Sequence, residues 1–277
     1  MSSEFFKKSS DLVAAKKRFA VATVVRVEGS SSAQPGSKAI IDDDGSLTGW
    51  VGGGCAEGTV RREALQSIDC GRPRMIRIDM TDEVLGVGMP CGGVMEVYIE
   101  PVLPKPELLI VGHGRIAETL ATIAHQVNFA VTVNDPLAKP DLFPNAEVVT
   151  GDMDLSTAKI DASTSVVIAT QHKGDHLWLQ KAIRGGAAYI ALVSSRHRAA
   201  LVLDYLAANS VAPEELDRIW APAGLDLGAQ TPEEIALSIV SQMVAIRRGG
   251  SAKAAKFKAE NFDEDVKLIT ECDYPAV

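Results

Sequence analysis

Two cysteines in this chain are each surrounded by glycines. Cys55 follows three consecutive glycines, and Cys91 is followed by two. Glycine tolerates positive φ and leaves backbone N–H groups unshielded, so a loop of this kind can approach a ligand closely. Because a thiolate suits a soft metal or a sulfur-transfer step, the sequence makes Cys55 and Cys91 candidate metal ligands or sulfur carriers. The alternative is that both are small buried side chains beside tight turns.

The first of these loops is predicted to precede a helix. Apolar residues recur at helical spacing from Glu57 to Ile68, which places Cys55 near a helix amino terminus. Backbone N–H groups and the helix dipole favour anions and thiolates at that position. We therefore take Cys55, Cys91 and Glu57 as candidate catalytic residues. The glycines expected to contact a cofactor beside them are Gly52, Gly53, Gly54 and Gly92.

A second motif indicates nucleotide binding. An apolar strand at residues 108–111 leads into a GxGxxA turn that starts at Gly112, and a helix is predicted over residues 115–126. Asp135 ends the next predicted strand, about 20 residues on, where an acidic side chain accepts from a ribose hydroxyl. An aspartate there favours NAD or the adenosine half of FAD over NADP. The candidate nucleotide-binding residues are Gly112, His113, Gly114, Arg115, Asp135, His172 and Asp226.

The last two candidates come from loops further along the chain. His172 follows a strand predicted at residues 166–170 and is expected to line the nucleotide crevice, with Asp175 as the N-cap of the next helix. A metal pair of His172 and His176 is disfavoured because that helix begins between them. Asp226 is expected either to reach the interdomain cleft or to bond only to its own turn.

Three prolines between residues 101 and 106 predict a stiff linker and a domain boundary. Before the linker, helices at residues 9–18 and 57–68 and strands at residues 19–28, 37–42, 74–79 and 94–100 predict a small α+β domain, residues 1–104. After it, alternating strands and helices predict a Rossmann-like domain at residues 105–250, followed by a polar tail at residues 251–277. The predicted fold class is therefore α/β, with a C-terminal Rossmann-like parallel sheet domain preceded by a smaller α+β domain.

Composition excludes several classes of protein. The 277 residues are 46% apolar and 23% charged, as in ordinary globular domains, and a net charge of −8 argues against nucleic acid as a partner. Four dispersed cysteines predict reduced thiols in a cytoplasmic protein, and no apolar run is long enough for a membrane span. GxSxG, HExxH, GxxxxGK[ST] and CxxC motifs are all absent from the sequence, so serine hydrolase, zinc protease and P-loop ATPase functions lack support.

These motifs, taken in order, resemble the xanthine dehydrogenase accessory factor family, XdhC/CoxI, across roughly residues 20–250. In the first domain the resemblance is carried by the segments around Cys55 and Cys91. In the second it is carried by the fingerprint at Gly112 and by three later segments, Thr170-Gln171-His172, Ser194-Ser195-Arg196 and Ala221-Pro222-Ala223-Gly224-Leu225-Asp226-Leu227-Gly228. Three residues beside the cysteines depart from the family pattern, namely Trp50, Ala56 and Pro90.

The resemblance implies a maturation factor that binds the molybdenum cofactor transiently and assists its modification or insertion into a molybdenum hydroxylase. Xanthine dehydrogenase and aerobic carbon monoxide dehydrogenase are such targets, and a sulfur donor protein is a further candidate partner. A homodimer is the expected oligomeric state because two-fold dimers are the commonest assemblies. A cofactor-binding chaperone is favoured over a turnover enzyme. The alternatives are an NAD- or FAD-dependent oxidoreductase with a redox-active cysteine, and a purely structural assembly partner.

Overall fold

The computed structural model describes residues 3–80, 93–152, 160–171 and 174–253, with only the backbone described for Ser3 and Cys55. The chain divides into two compact units, Met1–Lys105 and Pro106–Val277. Three of the predicted site residues, Cys91, Gly92 and His172, lie outside the described residues.

The N-terminal unit is built on an antiparallel sheet of five strands in the order β3-β2-β1-β5-β4. Its elements are α1 (Ser3–Ala14), β1 (Phe19–Gly29), β2 (Lys38–Asp42), β3 (Leu47–Gly49), α2 (Gly54–Cys70), β4 (Arg74–Asp79) and β5 (Gly93–Val102). Successive side chains of a strand point to opposite faces of a sheet. In β1, Ala20 and Ala22 face the core under α2, whereas Phe19 packs with Leu12 of α1. The sheet therefore carries one helix on each face.

Helix α2 is fixed to the sheet by an apolar stripe. Ala56, Val60 and Ala64 recur every four residues, so they lie on one side of the helix, and all three are buried. They pack against residues such as Val97 in the central strands. This packing holds the amino terminus of α2, and with it the loop of glycines before Cys55, at a fixed place on the sheet.

Two predictions for this unit are wrong. The first helix spans Ser3–Ala14 instead of residues 9–18, because Phe5 and Leu12 pack against Phe19 and anchor an earlier segment. The predicted linker at residues 101–106 is also too long. Strand β5 continues through Pro101 to Val102, paired there with β1. The pairing of β5 with β4 ends at Ile99. Proline has no N–H group, and at position 101 no hydrogen bond to β4 requires one.

The C-terminal unit contains a parallel sheet of six strands in the order β11-β10-β9-β6-β7-β8. Its elements are β6 (Glu107–Gly112), α3 (Arg115–Gln126), β7 (Ala130–Asn134), β8 (Val148–Thr150), β9 (Thr164–Ala169), α4 (Asp175–Arg184), β10 (Tyr189–Leu192), α5 (Arg196–Ala208), α6 (Pro213–Leu216), β11 (Ile219–Trp220) and α7 (Pro232–Arg248), with a short 3₁₀ turn at Pro140–Leu142. Strands β6, β7 and β8 extend the sheet in one direction. The chain then returns to β9, beside β6, and β10 and β11 extend the sheet in the opposite direction. This is the Rossmann strand order.

Helices cover both faces of the parallel sheet. Helices α3 and α7 pack on one face of the sheet, and α4 and α5 pack on the other. Successive residues of β6 therefore lie in different cores: Ile110 packs with α3 and α7, and Val111 packs with α4 and α5. Burial on both faces explains the unbroken apolar run of this strand. The predicted fold class is confirmed. Within the described parts of the chain, no helix is both long and apolar enough to cross a bilayer.

Candidate functional site

The carboxyl ends of β6 and β9 form the point where the strand order reverses, which is where ligands bind in such sheets. Gly112 ends β6 with a φ of 133°, and a Cβ placed on it would lie 2.2 Å from the carbonyl oxygen of Ala169 at the end of β9. Only glycine allows this close approach of two backbones. The first glycine of the fingerprint therefore brings β6 and β9 together at the predicted nucleotide crevice.

Helix α3 begins directly after this turn, as predicted. Its N-cap is Gly114, and no side chain caps the helix. The first N–H groups of a helix have no intrahelical acceptor, so an uncapped start leaves them for an anion such as a pyrophosphate. Gln171, in the loop after β9, comes within 3.0 Å of the position of a Cβ on Gly114. The residues present therefore fit a dinucleotide phosphate at this turn.

His113 and Asp135 lie next to each other beside the same turn. Nδ1 of His113 is 3.0 Å from Oδ1 of Asp135, and the two side chains are 23% and 14% exposed. The angles do not satisfy a hydrogen bond, and Nδ1 has no other partner among the described residues. Oδ1 instead accepts from the N–H of Leu137 at 2.8 Å. Asp135 is thus held at the end of β7, with Oδ2 free of hydrogen bonds from the described residues and able to accept from a ribose.

Arg115 is engaged by another helix. Its Nε donates to Oε1 of Glu233, in the first turn of α7, at 2.7 Å. This hydrogen bond is the largest cause that raises the pKa of Arg115 and lowers the pKa of Glu233. Both side chains are exposed, so the pair can exchange with solvent or ligand. A nucleotide phosphate would compete with Glu233 for this guanidinium.

The glycine and cysteine loop of the N-terminal unit lies at a helix start. Helix α2 begins at Gly54, three residues before the predicted start at Glu57, so Cys55 belongs to its first turn. The N-cap Gly53 has extended backbone and no side chain caps the helix. The exposed Trp50 lies over Gly53, and its Nε1 donates to the carbonyl oxygen of Ser32 at 3.4 Å. The loop combines uncapped amides with an aromatic ring.

Glu57 has a partner on its own helix. Arg61 contacts the Glu57 carboxylate through Nε and Nη2, and its Nη1 donates to the carbonyl oxygen of Gly45 at 2.6 Å. The spacing of four residues places the two side chains on one helix face. Arg61 was not among the predicted site residues, although its spacing from Glu57 was a usable signal. The arginine fixes the position of Glu57 beside the first turn of α2.

A buried carboxylate lies beside the predicted nucleotide crevice. Asp175 was predicted to cap α4, but Gly174 is the N-cap and Asp175 is the first helical residue. Its side chain is 2% exposed. It accepts from Oγ1 of Thr170, at the end of β9, and from Nε and Nη2 of Arg198 at 3.3 and 3.1 Å. No local sequence signal predicts Arg198, because it belongs to α5.

Asp226 lies on the loop between β11 and α7, at the rim of a cavity. The side chain is 87% exposed, and its Oδ2 is 3.7 Å from Nη2 of Arg196. It makes no hydrogen bond to its own turn among the described residues, which contradicts one of the two alternatives. Gly112, His113, Gly114 and Asp135 meet at one crevice, whereas Asp226 lies at this separate cavity. The described residues contain no cluster of three or more potential metal ligands.

A buried tyrosine ties this loop to the sheet. Tyr189 of β10 donates to Oε1 of Gln242 in α7 at 2.5 Å, and the N–H of Gly224 donates to the same oxygen at 3.0 Å. Burial raises the pKa of Tyr189 above its usual range. The folded protein therefore keeps this phenol protonated at pH values where an unfolded tyrosine ionises.

We expect this phenol to make stability fall at alkaline pH. Below a pH of about 10 the group is protonated in both states and contributes no pH dependence. As pH rises further, the unfolded state loses the proton and the folded state does not. The free energy of unfolding should then fall by up to about 1.4 kcal/mol per pH unit from this group. Urea unfolding at several pH values, compared between wild type and Tyr189→Phe, measures this slope. Equal slopes in the two proteins would contradict the assignment.

Comparison with known proteins gives consistent matches for both units. The model of the XdhC and CoxI family matches residues 12–79, and the model of the XdhC Rossmann domain matches residues 108–243. The two matches fall in the two units in the same order as the motifs that carry the resemblance.

Three individual proteins are similar to this chain. The uncharacterized protein YqeB of Escherichia coli is 31% identical over 237 residues, covering 83% of this chain and 43% of YqeB. A probable xanthine dehydrogenase subunit of Bacillus subtilis is 28% identical over 159 residues, covering 55% of this chain and 46% of that protein. The molybdenum cofactor insertion chaperone PaoD of Escherichia coli is 22% identical over 276 residues, covering 81% of this chain and 82% of PaoD. The chain thus spans less than half the length of the first two relatives.

Proposed function

The chain belongs to the XdhC and CoxI family, and on that premise we propose that it is a maturation factor for a molybdenum hydroxylase. It binds the molybdenum cofactor as cargo and assists the modification or insertion of that cofactor in the target enzyme. PaoD, which is named a molybdenum cofactor insertion chaperone, supports this role because its similarity to the chain extends over 82% of its own length. Xanthine dehydrogenase and aerobic carbon monoxide dehydrogenase are the target classes that we propose.

The observation that carries the proposal is the position of Cys55 in the first turn of α2. The helix start has no side-chain cap, and although the N–H of Ala56 donates to the carbonyl oxygen of Gly53 at 3.1 Å, the N–H groups of Gly54 and Cys55 can bind an anionic ligand. A pterin cofactor that carries phosphate and an oxo- or sulfido-molybdenum centre requires both kinds of group. We assign Cys55 and Cys91 to the metal end of the cargo. We further propose that residues 52–54, Gly92 and Glu57 contact the rest of the ligand.

We propose that the C-terminal unit binds a second ligand, a dinucleotide. Gly112 and the uncapped start of α3 would hold a pyrophosphate, and Asp135 would accept from a ribose hydroxyl. The carboxylate of Asp135 would repel a 2′-phosphate, so NAD or FAD is favoured over NADP. If turnover depends on such a dinucleotide, the chain is an oxidoreductase with a redox-active cysteine instead of a chaperone.

The first test is purification of the full chain from a host that makes the molybdenum cofactor. Metal analysis and mass spectrometry of the molecules released on denaturation should find a pterin together with molybdenum. A flavin or nicotinamide dinucleotide without molybdenum would favour the oxidoreductase. The partner test is incubation of the loaded chain with a cofactor-free molybdenum hydroxylase, whose activity should rise.

Replacing Cys55 by alanine should reduce the molybdenum retained on purification by about tenfold or more. Even partners outside the ligand shell change metal affinity by about 10–100-fold, so loss of a ligand should cost no less. The matched control is Cys70→Ala, which removes the exposed thiol at the other end of the same helix and should retain full loading. Full loading and full target activation by Cys55→Ala would contradict the role of the thiol.

A further inference from the structure

Helix α5 of the C-terminal unit carries large apolar side chains on the side that points away from the core. Its buried residues are Ala199, Val202 and Leu206. On its other sides Leu201 is 51% exposed and Tyr205 is 48% exposed. A surface helix usually presents charged and polar residues to solvent. Apolar side chains on the outer side as well as the inner side indicate that a second surface packs on α5.

Four residues form a stripe along the outer side of α5, and we call them the α5 seam. They are His197, Leu201, Asp204 and Ala208, all exposed, and they follow one another at spacings of four, three and four residues. These spacings place the four side chains in one line on a helix. The same alternation of three and four is the pattern by which two helices pack against each other along a seam.

Aromatic rings widen this surface beyond one helix. The ring of Tyr205 meets the ring of His176 in α4 edge to face, with 4.8 Å between the ring centroids. Leu177, the next residue of α4, is 52% exposed. Because the ring contact restricts the side chain of Tyr205 before any partner arrives, packing on it costs less conformational entropy. The outer surface therefore includes residues of both α4 and α5.

The charges of the α5 seam suit a second copy of the same helix. His197 lies four residues before Leu201, and Asp204 lies three residues after it. Within the part of the chain that the structure describes, neither His197 nor Asp204 forms a hydrogen bond or an ion pair. Two antiparallel copies related by a two-fold axis beside Leu201 place each His197 opposite the Asp204 of the other copy. The positive amino terminus of each helix then lies near an acidic residue of the other.

We propose that the α5 seam is the interface of a homodimer in which two copies of α5 pack antiparallel. The contact is isologous, so Leu201 packs against Leu201 of the second copy and the pair of His197 with Asp204 forms twice. A contact built mainly on one helix from each copy is at the small end of specific interfaces, so the dimer should dissociate on dilution. The proposal uses no residue of the nucleotide crevice or of the loop before Cys55, and it is independent of the cargo.

Sedimentation velocity of the full chain over a range of protein concentrations tests the interface. The wild type should convert from monomer to dimer as its concentration rises. Leu201→Glu should raise the dissociation constant about thirtyfold or more, because it places a charge at the centre of the interface. The matched control is Leu237→Glu, which changes a leucine of α7 that is 49% exposed and should leave the dissociation constant unchanged. Both leucines are exposed in the single chain, so neither variant should impair folding.

Exchange of the two charged positions tests the antiparallel register. Asp204→Lys places a lysine beside the positive first turn of the second copy, and His197→Asp places two carboxylates opposite each other. Each variant alone should dimerise about tenfold more weakly than the wild type, because like charges are brought together. In a mixed dimer the new lysine faces the new aspartate, and the remaining histidine faces the remaining aspartate. An equimolar mixture of the two variants should therefore dimerise at least as tightly as the wild type.

Three results would each overturn this interface. They are a wild type that stays monomeric at every concentration, a dimer that Leu201→Glu leaves intact, and a mixture of the two charge variants that dimerises no better than either alone. A monomeric wild type whose activation of a cofactor-free molybdenum hydroxylase is lost in Leu201→Glu would assign the α5 seam to the target enzyme instead. A chain that dimerises as described but releases neither pterin nor molybdenum would contradict only the proposed function.

Discussion

Replacing Gly112 by alanine is expected to destabilise the C-terminal unit by about 3 kcal/mol or more. The new Cβ would lie 2.2 Å from the carbonyl oxygen of Ala169 and 2.4 Å from its carbon. Both are backbone atoms of β9, so no side chain can move aside. The φ of 133° adds strain for any residue with a Cβ. The strands β6 and β9 would have to separate, and their hydrogen-bonded register would weaken.

Hydrogen exchange during urea unfolding measures this effect for each unit separately. Amides of β6 and β9 should lose protection at lower urea in Gly112→Ala, while amides of the N-terminal sheet serve as an internal reference. The matched control is Gly58→Ala in α2, where a Cβ meets nothing within 4 Å. That change should stabilise its helix by roughly 0.5–1 kcal/mol, because alanine is the better helix former. Unchanged protection of β6 in Gly112→Ala would show that the close crossing is wrong.

The fingerprint region was predictable because its signals are local. The apolar run of β6, the glycine turn and the start of α3 at Arg115 follow one another directly, and the structure has them where the sequence predicts. Helix α7 likewise begins after a capping box at Thr231 and ends before Gly249. In both cases short-range chemistry determines where the element starts or ends.

Elements that depend on distant contacts were mispredicted or missed. Strands β8 and β11 are three and two residues long, too short for a hydrophobic period, and only pairing with their neighbours defines them. The start of α1 depends on the contact of Phe5 with Phe19 in the sheet. Asp175 follows a glycine at a helix start, which resembles a cap. Its real partner, Arg198, is 23 residues away and is visible only in three dimensions.

The residues of the candidate site also divide into those predictable from local sequence and those that depend on distant contacts. Sequence patterns identified the loop before Cys55 and the residues Gly112 and Asp135, because glycine runs and strand ends are readable one segment at a time. The side chains that contact the predicted residues could not be identified from a single segment of sequence. Glu233 engages Arg115 from a helix more than a hundred residues later, with a sequence separation of 118. The contact between His113 and Asp135 requires two strands to be adjacent.

Replacing Asp175 by alanine should lower the free energy of unfolding by about 2–3 kcal/mol. Loss of one partner from a buried ion pair costs about 3–5 kcal/mol, because the other charge is left uncompensated. We expect less here because the Arg198 side chain is 34% exposed and water can solvate part of it. Thr170 would also lose its acceptor at the end of β9. Urea unfolding followed through the amides of α4 and α5 measures the change.

Two control variants distinguish the loss of the buried contacts of Asp175 from the loss of a carboxylate charge alone. Asp175→Asn keeps an oxygen that can accept from Thr170 and removes only the charge opposite Arg198, so its cost should be about half that of the alanine variant. Asp69→Ala removes a carboxylate that is 77% exposed and 2.8 Å from Arg18, and it should cost less than about 0.5 kcal/mol. Equal effects of Asp175→Ala and Asp69→Ala would contradict the network.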